Sequence, residues 1–165
     1  MPDCLFIEGD TAFLLNPSEE DESVYSYGTG HPIYEGRYRT DAWSLNDITV
    51  EGWDSGGSKK IIKDSFAWDE LTKGQVRAMR VIDRNIGSAA EAADRGETYL
   101  KKAEAESVSG YIDVPVNCGQ QLYDIIDITD ERAGLEEEKR RVVMIDLEFN
   151  SGRGTYRQRL VLKGV

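Results

Sequence analysis

The stretch SAAEAADRGETYLKKAEAESVSGYIDVPVNCGQQLYDIIDITD, residues 88–130, decides the fold, because it predicts a long amphipathic helix followed directly by extended chain. Ser88 to Glu91 form a capping-box pattern, in which the serine oxygen accepts an orphan amide and the glutamate reaches back to the cap. Gly110 ends the helical pattern, so we expect one helix over about 88–107. Small and apolar residues recur at three- and four-residue spacing on one face of it: Ala89, Ala92, Ala93, Gly96, Tyr99, Leu100 and Ala103.

The inward stripe of this helix is mostly alanine, with Gly96 near its centre. Small side chains let a helix approach a sheet closely, although they bury less area per turn than leucine does. The opposite face is charged, as expected of a solvated surface. We therefore expect the helix to brace two halves of one sheet, with Gly96 at its closest approach.

The chain after Gly110 predicts four strands. Tyr111–Asn117 alternates apolar and polar residues, and Gln121–Asp130 follows a turn at 117–120. Two further strands, Arg140–Phe149 and Thr155–Lys163, are joined by a glycine-rich turn and should form a hairpin. If Phe149 lies opposite Tyr156, one face is almost wholly apolar, and the other pairs opposite charges at two successive positions. The remaining pairs are then Glu148 with Arg157, Leu147 with Gln158, Asp146 with Arg159, Ile145 with Leu160 and Val143 with Leu162.

The first half of the chain predicts shorter elements. Residues 4–15 read as two strands around Glu8-Gly9-Asp10, and residues 46–53 read as a strand with Ile48 and Val50 on one face. The glycines and lysines of 54–60 superficially resemble a phosphate-binding loop, but strand-like residues follow where such a loop needs a helix, so we predict a hairpin turn. The stretch 69–85 suggests a short helix or turn.

These patterns predict an α+β fold, with a mainly antiparallel sheet or a partly open β-barrel and one long helix packed across it. We expect a single domain over 1–165. Residues 1–68 supply strands and loops, 69–107 are helical, and 108–165 form a four-stranded antiparallel region.

Composition excludes several classes of function. The 165 residues carry a formal net charge of -11, which argues against a nucleic-acid partner because phosphate binding needs a basic surface. No run of 18 apolar residues is present, so we expect no membrane association through a spanning helix, and the N-terminus has no signal-peptide pattern. Cys4 and Cys118 are too few for a disulfide framework and are expected as free thiols in a reducing compartment, although the fold could still pair them.

No catalytic, cofactor-binding or metal-binding constellation is apparent, and we expect a protein that is not an enzyme. His31 is the only histidine, and we interpret it as a surface loop residue before Pro32, although a small hydrolase using His31 with carboxylates is an alternative. Asp124, Asp127 and Asp130 invite a metal interpretation, but on a strand this spacing points them to alternating faces.

The Tyr/Trp-rich stretch 25–53 leaves a second function open. Aromatic residues among glycines are typical of extended edge segments with tight turns, but they also occur on sugar-binding surfaces. A carbohydrate-binding module with a glycan partner is therefore an alternative. Its candidate residues are Tyr25, Tyr27, Tyr34, Tyr38, Trp43 and Trp53.

An ordered series of motifs from about Tyr27 to the C-terminus resembles the hub or baseplate-type tail proteins of tailed phages and prophages. It begins with a strand around 46–52 and an alanine-rich helix over 89–105. It continues with Gly110-Tyr111-Ile112-Asp113-Val114-Pro115, the stretch Gly119 to Asp130, and a hairpin carrying Arg141-Val142-Val143 and Arg153-Gly154-x-Tyr156.

This resemblance implies a non-catalytic structural protein without cofactors. It implies strands on both sides of the helix that form one small β-barrel packed into a ring around the tail axis. The implied partners are further copies of the chain and other tail proteins, and the implied location is the cytoplasm during assembly and then the virion tail.

Overall fold

The computed structural model describes residues 4–15, 20–54, 56, 57 and 59–165, and it has the predicted α+β fold with one long helix and no closed barrel among these residues. The elements in chain order are β1 (Cys4–Glu8), β2 (Thr11–Leu15), β3 (Tyr25–Tyr27), β4 (Glu35–Thr40), β5 (Asp47–Trp53), β6 (Lys60–Phe66), α1 (Trp68–Thr72), β7 (Ala78–Ile82), α2 (Ala89–Ser107), β8 (Val108–Val114), β9 (Ile125–Asp130), β10 (Leu135–Asn150) and β11 (Thr155–Lys163).

The chain divides into two compact units, each with its own apolar core. We call Ala42–Glu106 the helical unit. The sheet unit consists of the described residues up to Asp41 together with Ser107–Val165. The helical unit is therefore an insertion, in sequence, between two segments of the sheet unit.

The helical unit is a three-stranded sheet covered by α2. Its central strand β5 pairs antiparallel with β6 and parallel with β7. As predicted, Ile48 and Val50 lie on one face of β5, where both are fully buried. They pack with Ala92 and Leu100 of the predicted helical stripe.

The start of α2 follows the predicted cap with one difference. Ser88 Oγ accepts a hydrogen bond from the Glu91 amide at 3.2 Å. The Glu91 carboxylate, however, accepts from the amide of Gly87 at 2.8 Å, one residue before the cap. The side chain thus still satisfies an amide at this helix end.

The expectation that α2 braces two halves of one sheet is wrong. The strands β5, β6 and β7 before the helix form their own sheet, whereas β8 after it belongs to a separate six-stranded sheet. Periodicity identifies strands but not their hydrogen-bonding partners, so the sequence did not separate the two sheets.

Residues 69–85 contain more regular structure than predicted. Besides the short helix α1, they form β7, in which Met79 and Val81 face the core of the helical unit. Parallel pairing with β5 satisfies the backbone of β7. β5 and β6 pair antiparallel as a hairpin, as predicted, and the Asp54 amide donates to the Lys59 carbonyl at 2.9 Å. Ser55 and Ser58 of the connecting stretch lie outside the described residues.

The sheet unit is built on six strands in the order β3-β9-β10-β11-β8-β4. The four strands of 108–165 pair antiparallel, and the tyrosine-rich stretch supplies both edges as β3 and β4. The core of this unit consists of Tyr27, Ile112, Val114, Ile126, Ile128, Val142, Leu160 and Leu162.

The predicted register of the β10–β11 hairpin is confirmed from Phe149↔Tyr156 to Ile145↔Leu160. A bulge then shifts the pairing, so Val142 and not Val143 lies opposite Leu162. Val142 and Leu162 are both buried, which shows that the bulge keeps an apolar residue on the core face.

The segment Gln121–Asp124, predicted as strand, is a turn in which Tyr123 has a φ of 69°.

Gly96 is a close contact between α2 and its sheet. A Cβ atom at this position would lie 2.5 Å from Ser65 Oγ and 3.6 Å from Ile48 Cγ2. We expect Gly96→Leu to reduce the free energy of unfolding by about 1–3 kcal/mol through overpacking, measurable by urea unfolding followed by circular dichroism.

Glu97→Leu is the matched control, because Glu97 is the exposed neighbour of Gly96 on the same helix. This substitution should change stability by less than about 0.5 kcal/mol. Equal unfolding midpoints for the two variants would contradict the packing of Gly96 against β5 and β6.

Candidate functional site

The outer end of the β10–β11 hairpin extends beyond its neighbouring strands. β9 pairs with β10 only as far as Arg141, and β8 pairs with β11 only from Gln158 onward. Residues 147–157 are therefore a two-stranded projection, which we call the arm. Such a projection exposes both faces of the arm.

One face of the arm is apolar and exposed. Leu147, Phe149 and Tyr156, which we call the arm face, are 59%, 74% and 58% exposed. The rings of Phe149 and Tyr156 meet edge to face at 5.8 Å between centroids. The predicted apolar face of the hairpin is thus divided, with its inner half in the core and its outer half in solvent.

Gln158 marks the boundary between these halves. It is buried, and its side-chain oxygen accepts a hydrogen bond from the Asn117 amide at 2.8 Å. Leu160 and Leu162 beyond it belong to the core. Because the Gln158 side chain is hydrogen-bonded, a polar residue can end the buried apolar face without leaving an unpaired polar group.

The β1–β2 hairpin presents a second exposed apolar face. Leu5, Ile7 and Leu14, which we call the ribbon face, are 68%, 72% and 70% exposed. Leu5 lies opposite Leu14 in the register, and Ile7 follows two residues along β1 on the same face. These strands were predicted from sequence, but their exposure was not. Among the described strands, β1 and β2 pair only with each other.

An ionic cluster anchors the base of the arm. Asp113 on β8 is only 1% exposed, and its two carboxylate oxygens accept from Arg159 on β11 at 2.6 and 2.8 Å. Arg157 lies 3.5 Å from the same carboxylate and also binds Glu148 at 2.8 Å. The hydrogen bonds from Arg159 hold the pKa of Asp113 below its usual range. The base of the arm is therefore cross-linked by charge-assisted bonds.

A second ionic cluster lies in the same unit at the end of β9. Asp130 is buried and accepts from Arg132 at 3.0 and 3.1 Å and from the Tyr38 hydroxyl at 3.1 Å. Arg132 lowers the pKa of Asp130, and burial beside this carboxylate raises the pKa of Tyr38. Both effects are those of a paired structural carboxylate.

The aromatic residues nominated for glycan binding do not share one surface. Tyr27 is fully buried, and its hydroxyl donates to Gln120 at 3.0 Å and accepts from Asn117 at 3.1 Å. Trp43 packs against the core of the helical unit, and Tyr38 bonds to Asp130. Tyr25 and Tyr34 are exposed in the sheet unit, whereas Trp53 lies under Arg84 in the helical unit.

A cleft of about 500 Å³ does lie beside Tyr25. The carboxylate of Asp124 accepts there from Gln120 Nε2 and from the Gln121 amide, both at 2.7 Å. The cleft therefore combines one aromatic ring with amide and carboxylate groups. Its lining residues are Val24, Tyr25, Asn117, Gly119, Gln120, Gln121 and Asp124.

His31 lies among aromatic side chains of the sheet unit. The ring nitrogens of His31 bond to the Tyr25 hydroxyl at 3.0 Å and to the Pro115 carbonyl at 2.9 Å, and its ring packs against Tyr25 and Tyr27. His31 is thus half-buried and is not an exposed loop residue. Cys118 is an exposed free thiol, and the side chain of Cys4 lies outside the described residues.

Within residues 4–15, 20–54, 56, 57 and 59–165, no three His, Cys, Asp or Glu side chains are grouped to hold a metal ion. In the same part of the chain, no helix has the length and apolar character needed to cross a membrane.

Comparison with known proteins gives matches only at the level of structure. No protein-family model matches the chain, and no curated protein matches its sequence. The tail protein from Neisseria meningitidis MC58 superposes with a TM-score of 0.73 at 14% identity, over 98% of this chain and 50% of that one. The 43 kDa tail protein of prophage MuSo2 from Shewanella oneidensis gives a TM-score of 0.64 at 16% identity, over 92% and 44%.

A third match is a chain in the virion of a native gene transfer agent particle, with a TM-score of 0.54 at 10% identity, over 79% of this chain and 28% of that one. At these identities the likeness shows the fold alone. The chain therefore has the fold of phage and prophage tail proteins, as the motif order predicted, and it spans about half the length of the two tail proteins or less.

Asp113 provides a test of the charge network at the base of the arm. Asp113→Asn should reduce the free energy of unfolding at pH 7 by about 1–3 kcal/mol, because it removes charge-assisted hydrogen bonds. A carboxylate whose pKa is lowered by folding stabilises fully above its unfolded pKa of about 3.9, and this contribution is lost as the pH falls through the folded pKa. The difference between wild type and variant, measured by urea unfolding, should therefore shrink from pH 5 downward.

Asp146→Asn is the control, since Asp146 lies opposite Arg159 on β10 but is exposed. It should change stability by less than about 0.5 kcal/mol at any of these pH values. A difference between wild type and Asp113→Asn that stays constant with pH would show that charge pairing at Asp113 does not stabilise the fold.

Proposed function

We propose that this chain is a non-catalytic structural component of a phage or prophage tail, of the hub or baseplate type, that acts through protein–protein assembly. The observation that carries the proposal is the match of 98% of the chain to the Neisseria tail protein at a TM-score of 0.73. The exposed arm face and ribbon face support it, since exposed apolar patches are typical of interaction sites.

The proposed partners are further copies of the chain, arranged in a ring, and other tail proteins. The net charge of -11 favours protein partners over nucleic acid. The buried carboxylates Asp113 and Asp130 are held by arginines. These pairs are suited to keeping a scaffold rigid and are not arranged as an acid and a base. The proposed location is the cytoplasm during assembly and then the virion tail.

Deletion of the gene in the strain that carries it tests this proposal. We expect particles with absent or incomplete tails in negative-stain electron microscopy, with normal tails restored by the gene in trans. An epitope-tagged copy should sediment with purified tails. Normal tails made without the gene, or tails that lack the tagged protein, would refute the tail role.

Glycan binding is a second candidate function, favoured specifically by the cleft beside Tyr25. A half-exposed ring next to Gln121 and the Asp124 carboxylate offers a stacking surface and hydrogen-bonding groups, as sugar ligands require. On a glycan array we expect binding that Gln121→Ala weakens. Tyr34→Ala, an exposed tyrosine outside the cleft, should leave binding unchanged, and no signal above background would exclude this function.

A further inference from the structure

The arm face is large enough to form the centre of a protein interface. A buried aromatic side chain covers about 150–250 Å², so Leu147, Phe149 and Tyr156 together offer roughly 300–400 Å² of exposed apolar surface. A stable interface buries about 800 Å² on each partner. The arm face therefore supplies about half of the area that one partner contributes to such an interface. The other partner must present a matching apolar surface.

The ribbon face has the matching character. Leu5, Ile7 and Leu14 form an equally exposed apolar strip on a second two-stranded hairpin of the same sheet unit. Both faces remain exposed within one chain, so neither is covered by the other. A contact between the two faces would therefore join two copies of the chain.

The net charge of the two hairpins favours this pairing over the two symmetric ones. The arm, residues 147–157, carries Arg153 and Arg157 against Glu148, a balance of +1. The β1–β2 hairpin, residues 4–15, carries two acidic residues and no basic one, a balance of -2. Arm against arm and hairpin against hairpin would bring together segments of like net charge, whereas arm against hairpin brings together segments of opposite net charge.

We propose that the arm face of one copy binds the ribbon face of the next copy, head to tail. This inference rests on the proposed assembly role and specifies its interface. A head-to-tail contact uses two different surfaces of each subunit, so repetition closes a ring when the rotation between copies closes. The binding partner of the arm is a second copy of this chain.

A complementation experiment with two interface variants tests the proposal. The arm variant is Leu147→Ser with Phe149→Ser, and the ribbon variant is Leu5→Ser with Ile7→Ser, so neither changes the charge. Sedimentation velocity should show self-association weakened roughly a hundredfold in each, since two central side chains are lost. Val76→Ser, which alters an exposed apolar residue of the helical unit, should associate as wild type does.

Mixing the two variants gives the decisive result. Each supplies the intact face that the other lacks, so an equimolar mixture should form a heterodimer that cannot extend into a ring. A mixture that stays monomeric, a ribbon variant that associates as wild type does, or a wild-type chain that is monomeric at all concentrations would overturn the proposal. Association of the arm with a different tail protein only would count against it in the same way.

Cross-linking gives an independent readout if a variant folds poorly. In a background with Cys4→Ser and Cys118→Ser, Phe149→Cys in one copy and Ile7→Cys in another should form a disulfide between copies on mild oxidation. Two Phe149→Cys copies should not, and preferential formation of that arm–arm bond would overturn the head-to-tail contact. A chain that passes these tests but is absent from purified tails would refute the tail role and leave the contact standing.

Discussion

Strand pairing along β10 is the constraint on which the sheet unit depends. β10 has 16 residues, whereas its partners β9 and β11 have six and nine. β9 pairs with one end of β10, and β11 pairs with the other end. On its other edge, β11 pairs with β8 from Gln158 onward. The arm follows from this mismatch in length, because no strand of the described residues pairs with the outer part of the hairpin on either side.

The bulge next to Val142 allows β10 to contribute both to the core and to the arm. One residue more on β10 than on β11 keeps Val142 in the core and allows the charged pairs to continue toward the arm. Glu148 and Arg157 lie on the polar face of the arm, so its apolar face is left without competing charges. The same hairpin thus supplies both core and surface from one alternating pattern.

Buried carboxylates recur in both units, and in each case basic residues hold them. Arg159 binds Asp113, Arg132 binds Asp130, and Glu51 in the helical unit lies between Arg80 and Lys60. These partners lower the pKa of all three carboxylates, as hydrogen bonding to the charged form requires. Removing a buried charge's partner is costly, so each cluster favours one arrangement of its strands over alternatives.

The sequence by itself determined the features that depend on neighbouring residues. The capped helix, the strand carrying Ile48 and Val50, and the β10–β11 register are all encoded in local periodicity and cross-strand charge. Tertiary structure alone decided which strands share a sheet, because strands pair through backbone N–H and C=O groups that do not depend on the identity of the side chains. It also decided that Leu147 and Phe149 face solvent while Leu160 faces the core. Their sequence pattern is the same, and only the end of the neighbouring strand β8 separates a buried face from one open to a partner.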